Sequence, residues 1–370
     1  TNDIARGLST PLAHAERMKT LYGGALPSSS DDREIIKVPL VGEDKEADEV
    51  VTQSEKLQAR ADKKQDDGTA SDDGKVLGVR ISHPDRVVYE EPGATKREIA
   101  IYLAGIAPRM LPFIKDHPVS LVRCPSGAGG KCFFQKHHTD SIPEAIGETK
   151  IEEKDGETAS YLILNSPEAL VSAAQIGALE LHIWGSRTDK LEKPDRLVID
   201  LDPDEGLDFE DVKEAAFEVR DVMHAAGLET FPLLTGGKGI HIVAPLERRQ
   251  GWDEVKAAAR GLAKKLADAA PGTYVAEASK AKRKGRIFID WLRNERGATA
   301  ICPYSLRARP GAPVATPVRW DELSSRSSGH DYTLSNINRR LSSLKADPWE
   351  GYDEVRQSIS KSVLEILAED

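Results

Sequence analysis

The sequence predicts an α+β fold, on three observations. Short apolar, β-branched runs and amphipathic helical stretches are mixed from Gly78 onward. They do not alternate as regular strand–helix–strand units, which argues against a doubly wound sheet. Internal repeats and heptad runs are missing, so neither a solenoid nor a coiled coil is expected. The 370 residues suffice for a large domain with appended segments. No apolar run reaches the about 18 residues that a membrane span needs.

Taken in order, residues 1–75 read as an acidic, mostly disordered tail or linker. DDREIIK, GEDKEADE and KKQDDGTASDDGK hold little sustained apolar material, too little to offset the entropy of ordering. Within that tail only Leu12–Leu21 has the pattern of a short helix. Thr95–Ile114 has a Thr cap and helical periodicity, with a break expected at Pro108, which lacks the backbone N–H. Val119–Arg123 and Lys131–Gln135 read as strands around the turn Pro125–Gly130. Ser166–Gln175 and Phe209–Ala226 read as helices. Arg196–Leu201, Leu233–Leu234, Ile240–Ala244 and Ile287–Trp291 are short and apolar and read as buried strands. Trp252–Ala269 is an Ala-rich amphipathic helix. Asn336–Asp370 reads as two helices split near Pro348. The expected organisation is a tail over 1–75, a body over 76–330, and C-terminal helices over 331–370 packed on or trailing the body.

The formal net charge is −10, which by itself disfavours a nucleic-acid binder. About half of it lies in the tail, so the body is free to carry a basic face. Three cysteines exclude a disulfide scaffold and suit a reducing compartment. Thr1–Leu21 lacks the pattern of a signal peptide. A cytoplasmic location without membrane contact is expected.

The sharpest local feature is Leu197-Val198-Ile199-Asp200-Leu201-Asp202-Pro203-Asp204. A strand's period of two puts Asp200 and Asp202 on one face and Leu201 on the other. Two hard oxygen anions together at a strand end suit Mg²⁺ or Mn²⁺. Asp-Pro-Asp is also plain turn chemistry. That accounts for Asp204 and for Asp202, but not for Asp200, a charge inside an apolar run. Arg286-Ile287-Phe288-Ile289-Asp290 repeats the anomaly. Asp290 alone reads as a helix cap or an Arg partner. Beside the first pair it reads as a third carboxylate of a two-metal phosphoryl-transfer site.

Leu234-Thr235-Gly236-Gly237-Lys238-Gly239-Ile240-His241 joins two strands through a glycine turn. Its spacing is not that of a Walker A loop. Glycines let backbone N–H groups approach an anion, and Thr235, Lys238 and His241 add a hydroxyl, a charge and a further donor. A plain hairpin with a solubilising Lys and a core His is the blander alternative. For Phe133 and Phe134, core packing is the expectation from pattern alone. The cationic run Lys280, Lys282, Arg283, Lys284 and Arg286 reads alone as a solvated loop.

Together these blocks resemble the polymerase domain of bacterial LigD, a member of the archaeo-eukaryotic primase superfamily. The resemblance spans roughly Gly78–Leu323. It rests on TKREIAIYLAGIAPRMLPFI, VSLVRCPSGAGGKCFFQKH, LELHIWGS, DRLVIDLDPDEG, TGGKGIHIVAPL and SKAKRKGRIFIDWLRNERGATAICPYSLRARPGAPVATPV, with Trp320 following. It implies a primase-like catalytic core of mixed β-sheets flanked by helices. It implies two-metal nucleotidyl transfer on Asp200, Asp202 and Asp290, with Mn²⁺ or Mg²⁺. It also implies nucleotide contacts from His182, Thr235, Lys238, His241, Arg293 and Arg307. Ser is the usual residue where this chain has Thr235; the hydroxyl is kept. Phe133 and Phe134 match aromatics that stack on template bases, and Lys96 falls where the family binds the 5′-phosphate of a break. Lys280 and Arg283 are expected on DNA, where aromatics and cations together suit single strands.

The implied activity is gap filling and end addition, preferring NTPs over dNTPs, on gapped duplex with a 5′-phosphate. It belongs to non-homologous end joining in the bacterial cytoplasm, at the nucleoid. The implied partners are Ku and a DNA ligase domain in cis or trans. A primer-initiating primase and a non-catalytic DNA-end-binding module are the rival readings. Cys124 and Cys132 with His137 and His138 have the spacing C-x7-C-x4-H-H, unlike the short pairs of zinc sites, so zinc is the weaker reading there. Cys302 reads as core. The K-x-D-G signature of a ligase is absent: Lys64 to Gly68 is one residue too long and Lys154-Asp155-Gly156 one too short.

Overall fold

The structure, a computed structural model, describes residues 70–71, 74–153 and 155–368. The helix expected at Leu12–Leu21 and nearly all of the tail lie outside them. In chain order, β1 (Ala70–Ser71), β2 (Lys75–Val76) and β3 (Val79–Arg80) form a small antiparallel sheet. Then come α1 (Lys96–Ile114), β4 (Val119–Arg123), β5 (Phe133–Gln135), β6 (Gly147–Glu152), β7 (Thr158–Ile163), α2 (Pro167–Gln175) and β8 (Ala178–Trp184). The next stretch holds β9 (Arg196–Pro203), α3 (Phe209–Ala225), β10 (Phe231–Leu234), β11 (Ile240–Pro245) and α4 (Trp252–Ala269). Last are β12 (Tyr274–Val275), β13 (Ile287–Asp290), β14 (Thr299–Ile301), β15 (Thr316–Pro317), α5 (Trp320–Leu323), α6 (Ile337–Ser343) and α7 (Lys361–Ala368).

Two larger sheets carry the fold. One runs β12-β13-β9-β11-β10-β15, and the other β14-β8-β4-β7-β6 with β5 added on β4. Among the described residues β12 and β13 pair in parallel and the other strand pairs of these sheets are antiparallel. This is the α+β arrangement expected from the sequence.

Local chemistry sets the helix ends. Thr95 accepts from the Glu98 N–H, and the Glu98 carboxylate accepts from the Thr95 N–H at 2.6 Å. This reciprocal cap satisfies two donors that have no partner inside the helix. Ser166 caps α2, with Pro167 in the first turn. The break expected at Pro108 does not occur: α1 runs on through Pro108 and Pro112. Each proline removes a rung, but Ile99, Leu103, Ile106, Met110 and Ile114 bury one face of α1 in the core. At about 1.5–3 kcal/mol per buried aliphatic side chain, that face outweighs the lost hydrogen bonds.

Three cysteines led to the expectation of no disulfide framework, yet Cys124 and Cys132 are disulfide-bonded. The weaker zinc reading of this pair is thereby corrected, because neither sulfur is a free thiolate. Cys302 is buried in the core, just beyond β14.

Residue parity in the strands decides where the chemistry sits. In β9, Leu197, Ile199 and Leu201 face one core, shared with Val212, Val219, Val255 and Leu262 of α3 and α4. Val198 faces the other core, which is built on α1, α2 and the second sheet. Asp200 and Asp202 have the parity of Val198. The same split holds in β11, where Ile240 and Ile242 join the helix-packed core and Val243 the other. His241 and Val243 therefore share the face of Asp200.

Candidate active site

The register of the first sheet gathers the candidate residues. Asp200 pairs with His241 across β9 and β11, and with Asp290 across β9 and β13. Asp202 pairs with Phe288. Three carboxylates thus project from adjacent strands on one face, and Asp200 and Asp290 are both buried.

Cations hold this cluster in place. Arg293 follows β13 and donates to Asp200 Oδ2 from Nη2 at 2.9 Å and Nε at 3.1 Å. Its Nε lies 3.3 Å from Asp290 Oδ2. Arg283 Nη1 donates to Asp202 Oδ2 at 2.8 Å, its guanidinium over the Phe288 ring. Burial alone would raise the Asp200 carboxyl. The nearby His241 ring and Arg293 outweigh it and hold that carboxyl well below the usual range. Asp290 shifts the other way, raised by burial and by the charge of Asp200 against the pull of Arg293. Asp202 is raised too, by partial desolvation and by Asp200, although its side chain is more open to solvent.

Hard carboxylate oxygens crowded in this way are the donor chemistry of a Mg²⁺ or Mn²⁺ site. Among the described residues, no three His, Cys, Asp or Glu side chains already converge as an ion cage. Arg283 and Arg293 take carboxylate oxygens instead, and an ion would compete with both.

The glycine turn lies beside the carboxylates. Gly236 has φ +70°, and a Cβ there would approach Arg307 Cγ at 2.7 Å. A Cβ on Gly239 would meet Leu201 O at 2.3 Å. Only glycine lets β11 leave the turn so close to the carboxylate strand. Thr235 Oγ1 donates to Gly239 O at 2.9 Å, and Gly237 N donates back to Thr235 Oγ1 at 3.3 Å. The hydroxyl expected to meet an anion is thus first a brace of the turn itself.

Lys238 is exposed, and the Arg309 guanidinium lies 3.6 Å from a Cβ position on Gly237. Neither side chain has a hydrogen-bond or ion-pair partner among the described residues. The buried Nδ1 of His241 has no partner either. Unpaired cations and an orphaned buried ring nitrogen around a glycine turn are the features of an anion site.

The second sheet supplies the opposite wall. His182 of β8 donates Nε2–H to Glu180 Oε2 at 2.7 Å. Arg307 Nη1 donates to Thr235 O at 2.6 Å, which ties this wall to the turn. Phe133 and Phe134 are 43% and 64% exposed, not core as their pattern alone suggested. They sit on β5, which pairs only with β4, so their side chains have no sheet to cover them. Arg123 lies over the Phe133 ring at 5.3 Å, and the Phe134 ring meets His182 edge-on at 6.0 Å.

Lys96 and Lys280 are placed differently. Lys96 opens α1, is 5% exposed, and donates to Ser82 O and Oγ at 3.0 and 3.1 Å. Lys280 is exposed in the turn that leads to Arg283.

Sequence reasoning missed two contributors. Glu180 stands two residues before His182, but nothing in its spacing marks it. Asn294 is buried and bonds both Val198 N and Val198 O, which fastens the Arg293 turn to β9. Its signal was a buried polar residue next to a site cation.

Comparison with known proteins decides the family. A family model described as LigD, primase-polymerase domain, matches residues 95–349. The chain belongs to the LigD primase-polymerase family. Domains of this family are DNA-directed nucleotidyltransferases, and they depend on metal. The multifunctional non-homologous end joining protein LigD of Pseudomonas aeruginosa is 41% identical over 291 residues, 78% of this chain and 34% of its own length. The bifunctional LigD of Bacillus subtilis is 28% identical over 71% of this chain and 42% of its own length. The chain therefore spans well under half of these LigD relatives. The structure of the polymerase domain from Mycobacterium tuberculosis ligase D in complex with DNA aligns with a TM-score of 0.69 and 31% identity. That alignment covers 75% of this chain and 98% of the other.

A second family model, cell division protein FtsA, matches residues 1–180. The FtsA of Rhizobium meliloti is 59% identical over 44 residues, 12% of this chain and 10% of its own length. The model match takes in the whole segment read from composition as a linker. Among the described residues, no helix is long and apolar enough to cross a membrane.

Proposed function

We propose that this chain adds nucleotides to a primer 3′-OH, filling gaps and processing ends in bacterial non-homologous end joining. The observation that carries this reading is one sheet face on which Asp200, Asp202 and Asp290 adjoin a glycine turn with unpaired cations. Asp200, Asp202 and Asp290 would hold the metal beside the primer end. Bound there, Mg²⁺ or Mn²⁺, two ions by the resemblance, would supply Lewis-acid stabilisation to the oxygens of an in-line phosphoryl transfer. Thr235, Lys238, His241 and Arg307 bind the triphosphate, with Arg293 released from Asp200 to do the same. His182 contacts the nucleotide. Phe133 and Phe134 stack on the template, Lys280 and Arg283 line the DNA path, and Lys96 lies at the 5′-phosphate.

The substrate is gapped or broken duplex, with NTPs preferred over dNTPs. Ku and a ligase domain, in the same polypeptide or a separate one, are the partners. The experiment is extension of a labelled primer on a gapped, 5′-phosphorylated duplex with Mn²⁺ and either NTPs or dNTPs. Extension by the chain, and none by the protein carrying Asp200→Ala and Asp202→Ala, is expected. Tight end binding without extension would favour a non-catalytic end-binding module. Synthesis without any primer would favour a primase.

A further inference from the structure

We infer that Glu180, a residue without an assigned role, is a positioning residue that fixes the His182 ring and the Arg307 guanidinium against the triphosphate turn. This rests on the polymerase reading above. Glu180 is 7% exposed, and its two oxygens are divided between two elements. Oε2 accepts from His182 Nε2 at 2.7 Å, two residues along the same strand face. Oε1 accepts from Ala308 N at 2.9 Å and lies 3.2 Å from Arg307 Nε.

The segment beyond β14 is stitched to β8 at three successive points. Cys302 N donates to Leu181 O, Leu181 N donates to Ser305 Oγ, and the Glu180 carboxylate closes the series at Ala308. Tyr89 OH donates to Arg307 O from the other side at 2.8 Å. Arg307 is thus pinned at its backbone and ion-paired at Nε, which makes no hydrogen bond of its own, and its far end, Nη1, reaches Thr235 O at the head of the glycine turn. One buried carboxylate therefore connects the His182 wall to the turn that receives the phosphates.

The consequence for His182 is a fixed tautomer. Burial pushes the Glu180 carboxyl up, but the His182 hydrogen bond and the Arg307 charge bring it down to about 2. It is ionised at neutral pH and can only accept. Burial lowers the His182 ring against the pull of Glu180, so the neutral ring carries its proton on Nε2 toward Glu180 and keeps Nδ1 as an acceptor. Uncharged glutamine cannot replace this group. Its one oxygen can accept from Ala308 N–H, but its NH₂ group then faces His182 Nε2, which must turn acceptor by moving the ring proton to Nδ1, and the negative charge beside Arg307 is lost.

The test uses the whole chain and compares Glu180→Gln with wild type for nucleotide KM, kcat, DNA-end affinity and melting temperature. A rise of about tenfold or more in nucleotide KM, with end affinity unchanged, is expected, since small misplacements of positioning groups cost one to two orders of magnitude. In a protein carrying His182→Ala and Arg307→Ala, adding Glu180→Gln should change kcat/KM by less than about twofold, because the groups it acts through are gone. Equal KM in Glu180→Gln and wild type, or a full tenfold loss added to the double variant, would overturn the assignment. Should Glu180→Gln not fold, ¹⁵N spectra of His-labelled wild type, assigned with His182→Gln, give the answer directly. Protonation at Nε2 supports the role and protonation at Nδ1 refutes it. Failure of wild type to extend primers would instead strike the polymerase reading.

Discussion

At the scale of single residues, the site is a balance between carboxylates and arginines. Asp200 is held ionised by His241 and Arg293, while Asp202 and Asp290 are raised by burial and, after it, by the charge of Asp200. Asp200→Asn keeps the shape and removes the charge. It is expected to cut primer extension by about 10³-fold or more, with nucleotide binding in the absence of metal reduced far less. Stopped-flow single-turnover assays beside equilibrium binding check this, and equal losses in both would contradict it.

Lys96 gives a pH dependence with a definite sign. Burial and then the charge of Arg86 lower its ammonium to about 8. The protonated form attracts a 5′-phosphate, and the neutral form does not. Preference for 5′-phosphorylated over 5′-hydroxyl ends should therefore be full near pH 6.5 and fall as the pH rises through 8 and above. Fluorescence anisotropy with both duplexes measures it. A preference that stays level to pH 9.5 would remove Lys96 from the phosphate site. Phe134→Ala, at a 64% exposed position, should cost about 1–3 kcal/mol of single-strand template affinity without lowering the melting temperature. A melting temperature that falls while template affinity holds would return the ring to a packing role.

At the scale of elements, the glycine turn and the β9–β11 pair are one device. Gly239→Ala would drive a Cβ into Leu201 O, so the strand must shift and carry Asp200 with it. Loss of both thermal stability and extension is expected, in contrast to Gly272→Ala, where nothing stands within 4 Å. Differential scanning fluorimetry on both variants tests the contrast.

The apolar runs of β9, β11 and β13 made these strands legible, interrupted within by Asp200, Asp202 and His241 and ended by Asp290. The sequence also marked α4 to the residue, since its alanine-rich stripe is periodic. It did not show β6 and β7, where Glu148, Lys150 and Glu152 alternate with smaller residues and one face stays in solvent. It placed a break in α1 at Pro108 that does not occur, because the penalty for Pro108 is local while the burial that offsets it comes from α2 and the second sheet. The carboxylates were readable as charges inside apolar runs. Glu180 and Asn294 were not, since the contacts of Glu180 with Ala308 and of Asn294 with Val198 span 128 and 96 residues of chain, and only the folded register reveals them.

At the scale of the whole molecule, all the candidate residues lie in the unit that begins at Thr69. A chain starting at residue 69 is expected to extend primers at the rate of the full chain. A large loss on that truncation, measured on the same gapped duplex, would assign the preceding segment a part in the reaction. The basic groups along Lys280–Arg286 and around the turn also predict that end affinity falls steeply with salt despite the net charge of −10. A titration from 50 to 200 mM salt reads that slope, and a flat response would point to binding without phosphate contacts.

The alternation along β9 has a consequence for how this protein can fail. Every second residue of that strand packs under α3 and α4, and of the intervening positions Val198 enters the other core while Asp200 and Asp202 form the carboxylate cluster. Slipping the strand by one position would push Asp200 and Asp202 into the oily layer and turn Leu197, Ile199 and Leu201 toward the substrate. Such a chain would lose its core and its chemistry in the same event. A population of well-packed molecules with this strand out of step should not accumulate. Single-residue insertions or deletions within β9 should show up in a mutational library as missing protein, not as stable, inactive protein.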